Sequence, residues 1–172
     1  GGFFDKSMLA FKDQSQLAIS EELQSFYPHA ALAIDYDQDR HVDVLVVDDR
    51  NNLSPIYKNN GDGTFSQNAD KIGMGNRGLG MSVAAGDINN DGYVDFAFTN
   101  VRLSAADRLE SCMLDEFNIT ENIFGDPGLK IYTNNRKNQF IDMTALSGID
   151  NPGDATAGIE IVDYNNDGLL DI

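Results

Sequence analysis

The stretch DYDQDRHVD, residues 35–43, is written twice more along the chain, as DINNDGYVD at 87–95 and as DYNNDGLLD at 163–171. Positions 1, 3, 5 and 9 are Asp or Asn in every copy, and an apolar run leads into each. In the first two copies an apolar run also leads out. Oxygen donors at alternate positions of a tight loop can all turn inward on one point. A hard cation such as Ca²⁺ needs that arrangement, taking about six to eight oxygens; Mg²⁺ fits less well, because it prefers a rigid octahedron and retains water.

A second recurring element fixes the period. YKNNGDGTF at 57–65 is answered by YTNNRKNQF at 132–140, and GGFFDKS at 1–7 offers a third copy of the tail that follows the closing Phe. The basic unit is about 52 residues, one unit carries an insertion of about 23 near residues 101–126, and the first connector is about 10 longer. Inside a unit the pattern has period two and is rich in β-formers. Residues 30–35, 81–87 and 158–163 lead into the acidic loops, whereas 42–48 and 94–99 lead out. Residues 55–57 and 129–132 make a third strand, the turn signal Asn60-Gly61-Asp62-Gly63 follows, and Thr64-Phe65 begins a fourth strand. Four short antiparallel strands repeated at this interval are the blades of a β-propeller, so the expected class is all-β.

The expected organisation is one partial propeller over 1–172. Residues 1–9 form the outer strand of a preceding blade, 30–67 and 80–143 are blades, the second with an insertion at 101–128, and 157–172 begin the next blade. Two or three blades in a row leave long bare sheet edges, so a fragment or the ordered part of a larger closed ring is expected.

The net charge of −16 speaks against nucleic-acid backbones and anionic membranes as partners. Ten of the 28 acidic residues lie in the three loops, so cation binding accounts for about a third of the acidity and solubility for the rest. No apolar stretch is long enough to span a membrane. The N-terminus lacks the order of a signal peptide; an exported protein would begin after its signal. Cys112 has no internal disulfide partner, and no Cys/His cluster suggests zinc. Sequons at Asn118 and Asn52 matter only in a eukaryotic secretory pathway.

With its loops and its NNGDGTF turn, the chain resembles FG-GAP/VCBS repeats, the calcium-binding propeller blades also found in integrin α-chain heads. The wording at 78–100, 131–149 and 157–172 is most similar to the secreted ASPIC/UnbV (cartilage-acidic-protein-like) group. The resemblance covers most of residues 30–172. It implies a seven-bladed ring outside the cytoplasm, extracellular or periplasmic, with up to three Ca²⁺ held between the first and second strands of its blades. Carried over by position, the implied side-chain ligands are Asp35, Asp37, Asp39 and Asp43; Asp87, Asn89, Asp91 and Asp95; and Asp163, Asn165, Asp167 and Asp171. The seventh position implies backbone carbonyls from His41, Tyr93 and Leu169. Gly92 and Gly168 fill the sixth position, where the chain turns sharply, but the first loop has Arg40 there, at a strain of about 1 kcal/mol. The first loop, with one more formal negative charge than the others, is expected to bind all the same. If the chain ends at Ile172, the third loop loses its continuing strand and its site is expected to be loose.

Two rivals share parts of the loop pattern. EF-hand and dockerin loops both require an acidic twelfth residue, and the EF-hand requires flanking helices. Position 12 is Val46 or Phe98, inside a β run, so neither applies. Asp/Asn-rich turns without metal are the plain alternative, opposed by the repulsion of three carboxylates packed in one turn. Support for catalysis is thin. His29 and His41 lie beside and inside a loop, the close carboxylate pairs sit in the loops, and no nucleophile or phosphate-loop motif occurs. The glycines at 75–80 precede a strand and so form no dinucleotide fingerprint.

In the insertion, 104–107 resembles a helix start, and Leu109, Met113 and Phe117 share a face. In a four-strand meander the loops after strands one and three share one face of the ring. The acidic loops and the NNGDGTF turn therefore lie together, and both elaborations, 8–29 and 101–128, fall on the opposite face. The expected function is a non-enzymatic, calcium-stabilised binding or adhesion scaffold whose opposite face meets a protein or glycan partner. The alternatives are the propeller of a secreted polysaccharide-active enzyme, or a structural subunit of a larger assembly, with the remaining blades of a longer parent as partners.

Overall fold

The computed structural model describes residues 27–49, 52–101, 128–149 and 156–172. Expectations for the tail at 1–9, the connector before residue 27, the inserted helix, Cys112 and the Asn118 sequon lie outside the described residues. Eight strands form two four-stranded antiparallel meanders. The first runs β1 (Pro28–Ile34), β2 (Asp43–Asp48), β3 (Ile56–Asn59) and β4 (Phe65–Gln67). The second runs β5 (Leu79–Gly86), β6 (Asp95–Val101), β7 (Gly128–Asn134) and β8 (Phe140–Asp142). The all-β expectation is borne out, and the pairing of consecutive strands is that of propeller blades.

The two sheets hold one core between them. Alternation on β2 turns Leu45 and Val47 toward it, and alternation on β6 turns Phe96 and Phe98 the same way. Phe140 of β8 packs on Phe96 at 5.2 Å between ring centroids and on Tyr36 of the first loop at 6.1 Å. The connector between the blades seals this layer with Ala69, Ile72 and Met74, the middle one on a 3-10 turn at Asp70–Ile72. The Tyr36 hydroxyl meets its hydrogen-bonding need by accepting from Asn68 Nδ2 at 2.8 Å, so this loop residue can be buried without loss.

Strand β6 is buried on both faces, with Ala97 and Thr99 on the side away from the first blade. That side meets residues 156–172: the Thr99 hydroxyl donates to the Ala157 carbonyl at 3.4 Å. The lead-in strand expected at 158–163 is reduced to a single bridge, Val162 to Asp171. Its two backbone hydrogen bonds, Val162 N–H to the Asp171 carbonyl and the reverse, measure 3.1 and 3.0 Å.

The end of each sheet away from the acidic loops closes on a buried polar chain. The Tyr27 and Asn52 backbone N–H groups donate to the Asp48 carboxylate at 2.8 and 2.9 Å. Asn76 Nδ2 donates to Ser54 Oγ at 3.2 Å, and Asn100 Nδ2 donates to Asn76 Oδ1 at 3.1 Å. These bonds tie the β2–β3 connection, the inter-blade connector and the end of β6 together without metal. Among the described residues no helix is long and apolar enough to cross a membrane.

Candidate metal centres

Each acidic loop joins the first strand of a unit to the second, and all three are wired alike. The carboxylate at position 1 accepts from the N–H groups of positions 5 and 6. In the first loop Asp35 accepts from Asp39 at 3.0 Å and Arg40 at 2.8 Å. In the second Asp87 accepts from Asp91 at 2.8 Å and Gly92 at 2.7 Å. In the third Asp163 accepts from Asp167 at 3.0 Å and Gly168 at 2.8 Å. The position 5 carboxylates cap the next turn, taking the N–H of His41, Tyr93 and Leu169 at 2.8, 3.0 and 2.9 Å.

The ninth residue does a different job. Asp43 and Asp95 are 1% and 0% exposed at the start of β2 and β6. Each accepts the N–H of loop position 2 and, from the third strand, the N–H of Asn59 or Asn134 at 2.8 Å. Burial raises the pKa of both above the ordinary carboxylate value, against the lowering effect of those N–H donors. Asp171 repeats half of this pattern, accepting from the Tyr164 N–H at 3.3 Å.

Such wiring needs two left-handed residues per loop. Position 6 has positive φ at Arg40 (73°), Gly92 (89°) and Gly168 (85°), which places the expected strain on the arginine. Position 4 is left-handed as well, at Gln38 (61°), Asn90 (59°) and Asn166 (60°). That was missed in the sequence; the signal was the Asn of the NND runs, since Asn tolerates this region better than most residues.

The first loop gathers Asp35, Asp37 and Asp39 so that one carboxylate oxygen from each lies within 4.8 Å of the others. Among the described residues this is the one such group of three acidic, His or Cys side chains. Asp43 stands outside it, below the loop. In the second and third loops position 3 is Asn89 or Asn165, so two carboxylates and an amide face the same turn. His41 stands over the neighbouring turn, where a Cβ on Gly61 would fall 2.7 Å from its Cε1. Its Nδ1 lies 3.2 Å from Asp39 Oδ1.

The donor set of the first loop fits a cation. Asp37 Oδ1 is buried with no hydrogen-bond partner, an arrangement that costs free energy unless a positive group satisfies it. Its other oxygen accepts from the Lys58 ammonium of β3, which also donates to Asp39 Oδ2 at 2.6 Å. In the second loop Arg136 Nε donates to Asp91 Oδ2 at 3.1 Å. The loops also touch each other across the blades: Gln38 Nε2 donates to the Gly92 carbonyl at 2.7 Å, and Asn138 Nδ2 donates to the Asp37 carbonyl at 3.3 Å. Two acidic loops and both β3–β4-type turns therefore share one face of the assembly, as the meander requires.

Residues 35–98 match the FG-GAP-like repeat. The matched stretch runs from the first carboxylate of the first loop to the middle of β6, and so takes in the second loop whole. A comparison with curated proteins returns no significant match. The repeat and the two meanders together make this a β-propeller-like module.

Proposed function

We propose that the three loops are calcium sites and that the chain is a non-enzymatic binding or adhesion scaffold, working outside the cytoplasm, whose blades calcium stiffens. The wording of residues 78–100, 131–149 and 157–172 supports grouping it with the ASPIC/UnbV-like proteins. The observation that carries the calcium assignment is the buried Asp37 Oδ1, left without a partner inside a cluster of three carboxylates. Bound Ca²⁺ would supply positive charge and accept coordination from the loop oxygens. Asp35, Asp37 and Asp39 would hold it in the first loop, Asp87, Asn89 and Asp91 in the second, and Asp163, Asn165 and Asp167 in the third, with the carbonyls of His41, Tyr93 and Leu169 alongside. Asp43, Asp95 and Asp171 anchor the loops from below through backbone N–H groups, so each hairpin keeps the register that presents the donors.

Calcium-stripped protein is expected to melt several degrees below the calcium-loaded form, following the linkage between ligand concentration and stability. Asp91→Ala should remove most of the second site's share of that gain, whereas Glu160→Ala, at an exposed position outside the loops, should leave it unchanged. Scanning calorimetry with and without Ca²⁺ reads both. A melting temperature indifferent to calcium would end the assignment. The face opposite the loops is the one offered to a protein or glycan partner, because the longest connections of the meander leave from it.

A further inference from the structure

The three loops share one backbone and differ in the cation that the protein itself supplies. In the first, five of the six oxygens of Asp35, Asp37 and Asp39 already accept a hydrogen bond. Asp35 takes two backbone N–H groups, Asp39 Oδ1 takes the His41 N–H, and Lys58 takes Asp37 Oδ2 and Asp39 Oδ2. Only Asp37 Oδ1 is left over. The lysine is well placed to stay: its side chain is 27% exposed, and those of Asp37 and Asp39 are 11% and 33% exposed.

Register shows that this is particular to the first blade. Val44 pairs with Tyr57 as Phe96 pairs with Tyr132, so Lys58 corresponds to Thr133. Thr133 carries no charge, and the cation at the second loop comes instead from Arg136, which is 65% exposed and touches Asp91 alone. In the third loop Asn165 Nδ2 donates to Asp167 Oδ2 at 3.1 Å, and this sequence holds no position that matches Lys58, so the comparison is between the first two loops.

We propose that Lys58 is a tethered cation that neutralises the first loop in the absence of metal and competes with Ca²⁺ for Asp37 and Asp39, making the most acidic loop a weaker calcium site than the second. The inference rests on the calcium reading above for its competition half only. A divalent ion entering the first loop must displace the ammonium from two carboxylates, whereas at the second it faces one exposed arginine. Between these two loops acidity and calcium affinity thus run in opposite order.

Two measurements on the whole chain test this. By calorimetric titration with CaCl₂, Lys58→Met should strengthen the first site by roughly tenfold or more, the scale expected for removing a competing charge from a partly buried pair. The reciprocal change Thr133→Lys should weaken the second site by a similar factor. In calcium-stripped buffer, Lys58→Met should melt below the wild-type chain, and calcium should restore it. Calcium binding that is the same in wild type and Lys58→Met, with Thr133→Lys also without effect, overturns the competition while leaving the calcium sites standing. Titrations that show no calcium on any chain overturn the calcium reading and the competition together. An unchanged melting temperature for Lys58→Met in stripped buffer overturns the neutralising role.

Discussion

Residue 40 is where the first loop departs from its two companions. Arg40 holds φ of 73°, a conformation that Gly92 and Gly168 adopt in the same place at no steric cost. A Cβ at Gly92 would meet nothing within 4 Å, so the difference between glycine and any other residue there is a backbone effect. Arg40→Gly should therefore stabilise the chain by up to about 1 kcal/mol, or raise its melting temperature by about 2–4 °C. Gly92→Ala should lower it by a similar amount. Thermal melts of both variants at fixed calcium check the pair, and shifts of the same sign would contradict the argument. The third-strand turns show the same exchange, with Gly61 and Gly63 in the first blade replaced by left-handed Arg136 and Asn138 in the second. There the side chains have work that glycine lacks, since Arg136 reaches Asp91 and Asn138 reaches the Asp37 carbonyl.

Among the elements, β5 approaches the first blade so closely that Gly80 leaves no room for a side chain. A Cβ there would lie 2.3 Å from Val47 Cγ1 and 2.7 Å from the Asp48 carbonyl oxygen, and the second of these is backbone that cannot rotate away. Gly80→Ala should cost about 1–3 kcal/mol by pushing the two sheets apart. Gly86→Ala should cost less, because its close neighbours are the side-chain ends of Ile161 and Leu170. Denaturant titration separates the two, and equal losses would place the tight approach elsewhere. The strands themselves were legible in the sequence, because alternation at 42–48 and 94–99 and the NNGDGTF turn are local signals. The positions of the loops and turns on one face followed from the meander alone. Lys58 as a loop contact was not legible: it sits in β3, and only the pairing of Val44 with Tyr57 carries it to Asp37 and Asp39. Nor was the separate role of Asp43 and Asp95, since a ninth-position Asp looks like the other donors until its two N–H partners are seen.

For the whole molecule, a net charge of −16 and the buried carboxylates of Asp43 and Asp95 set the direction of the pH response. Burial raises Asp43 and Asp95 above their ordinary value of 3.8, so the folded chain takes up these protons more readily than the unfolded chain does. Their contribution to stability is complete below pH 3.8 and is lost as pH rises through the higher folded values. Asp39 and Asp62 act in the opposite sense. Hydrogen bonds from Lys58 to the first and from Thr64 to the second lower their values, so their contribution is present above 3.8 and lost as pH falls through the lowered ones. Both are solvated, so screening keeps their effect small and the buried pair governs, reinforced by the mutual repulsion of the remaining acids. Stripped of calcium, the chain should lose stability from about pH 4 upward. Calcium favours the ionised loops and opposes that trend, so the gain in melting temperature from saturating calcium should widen from pH 4 to pH 7. Melts of stripped and calcium-loaded protein across that range measure the gap. A gap of constant width would mean that bound calcium does not favour the ionised form of Asp43 and Asp95, and would detach the metal from the anchoring layer beneath the loops.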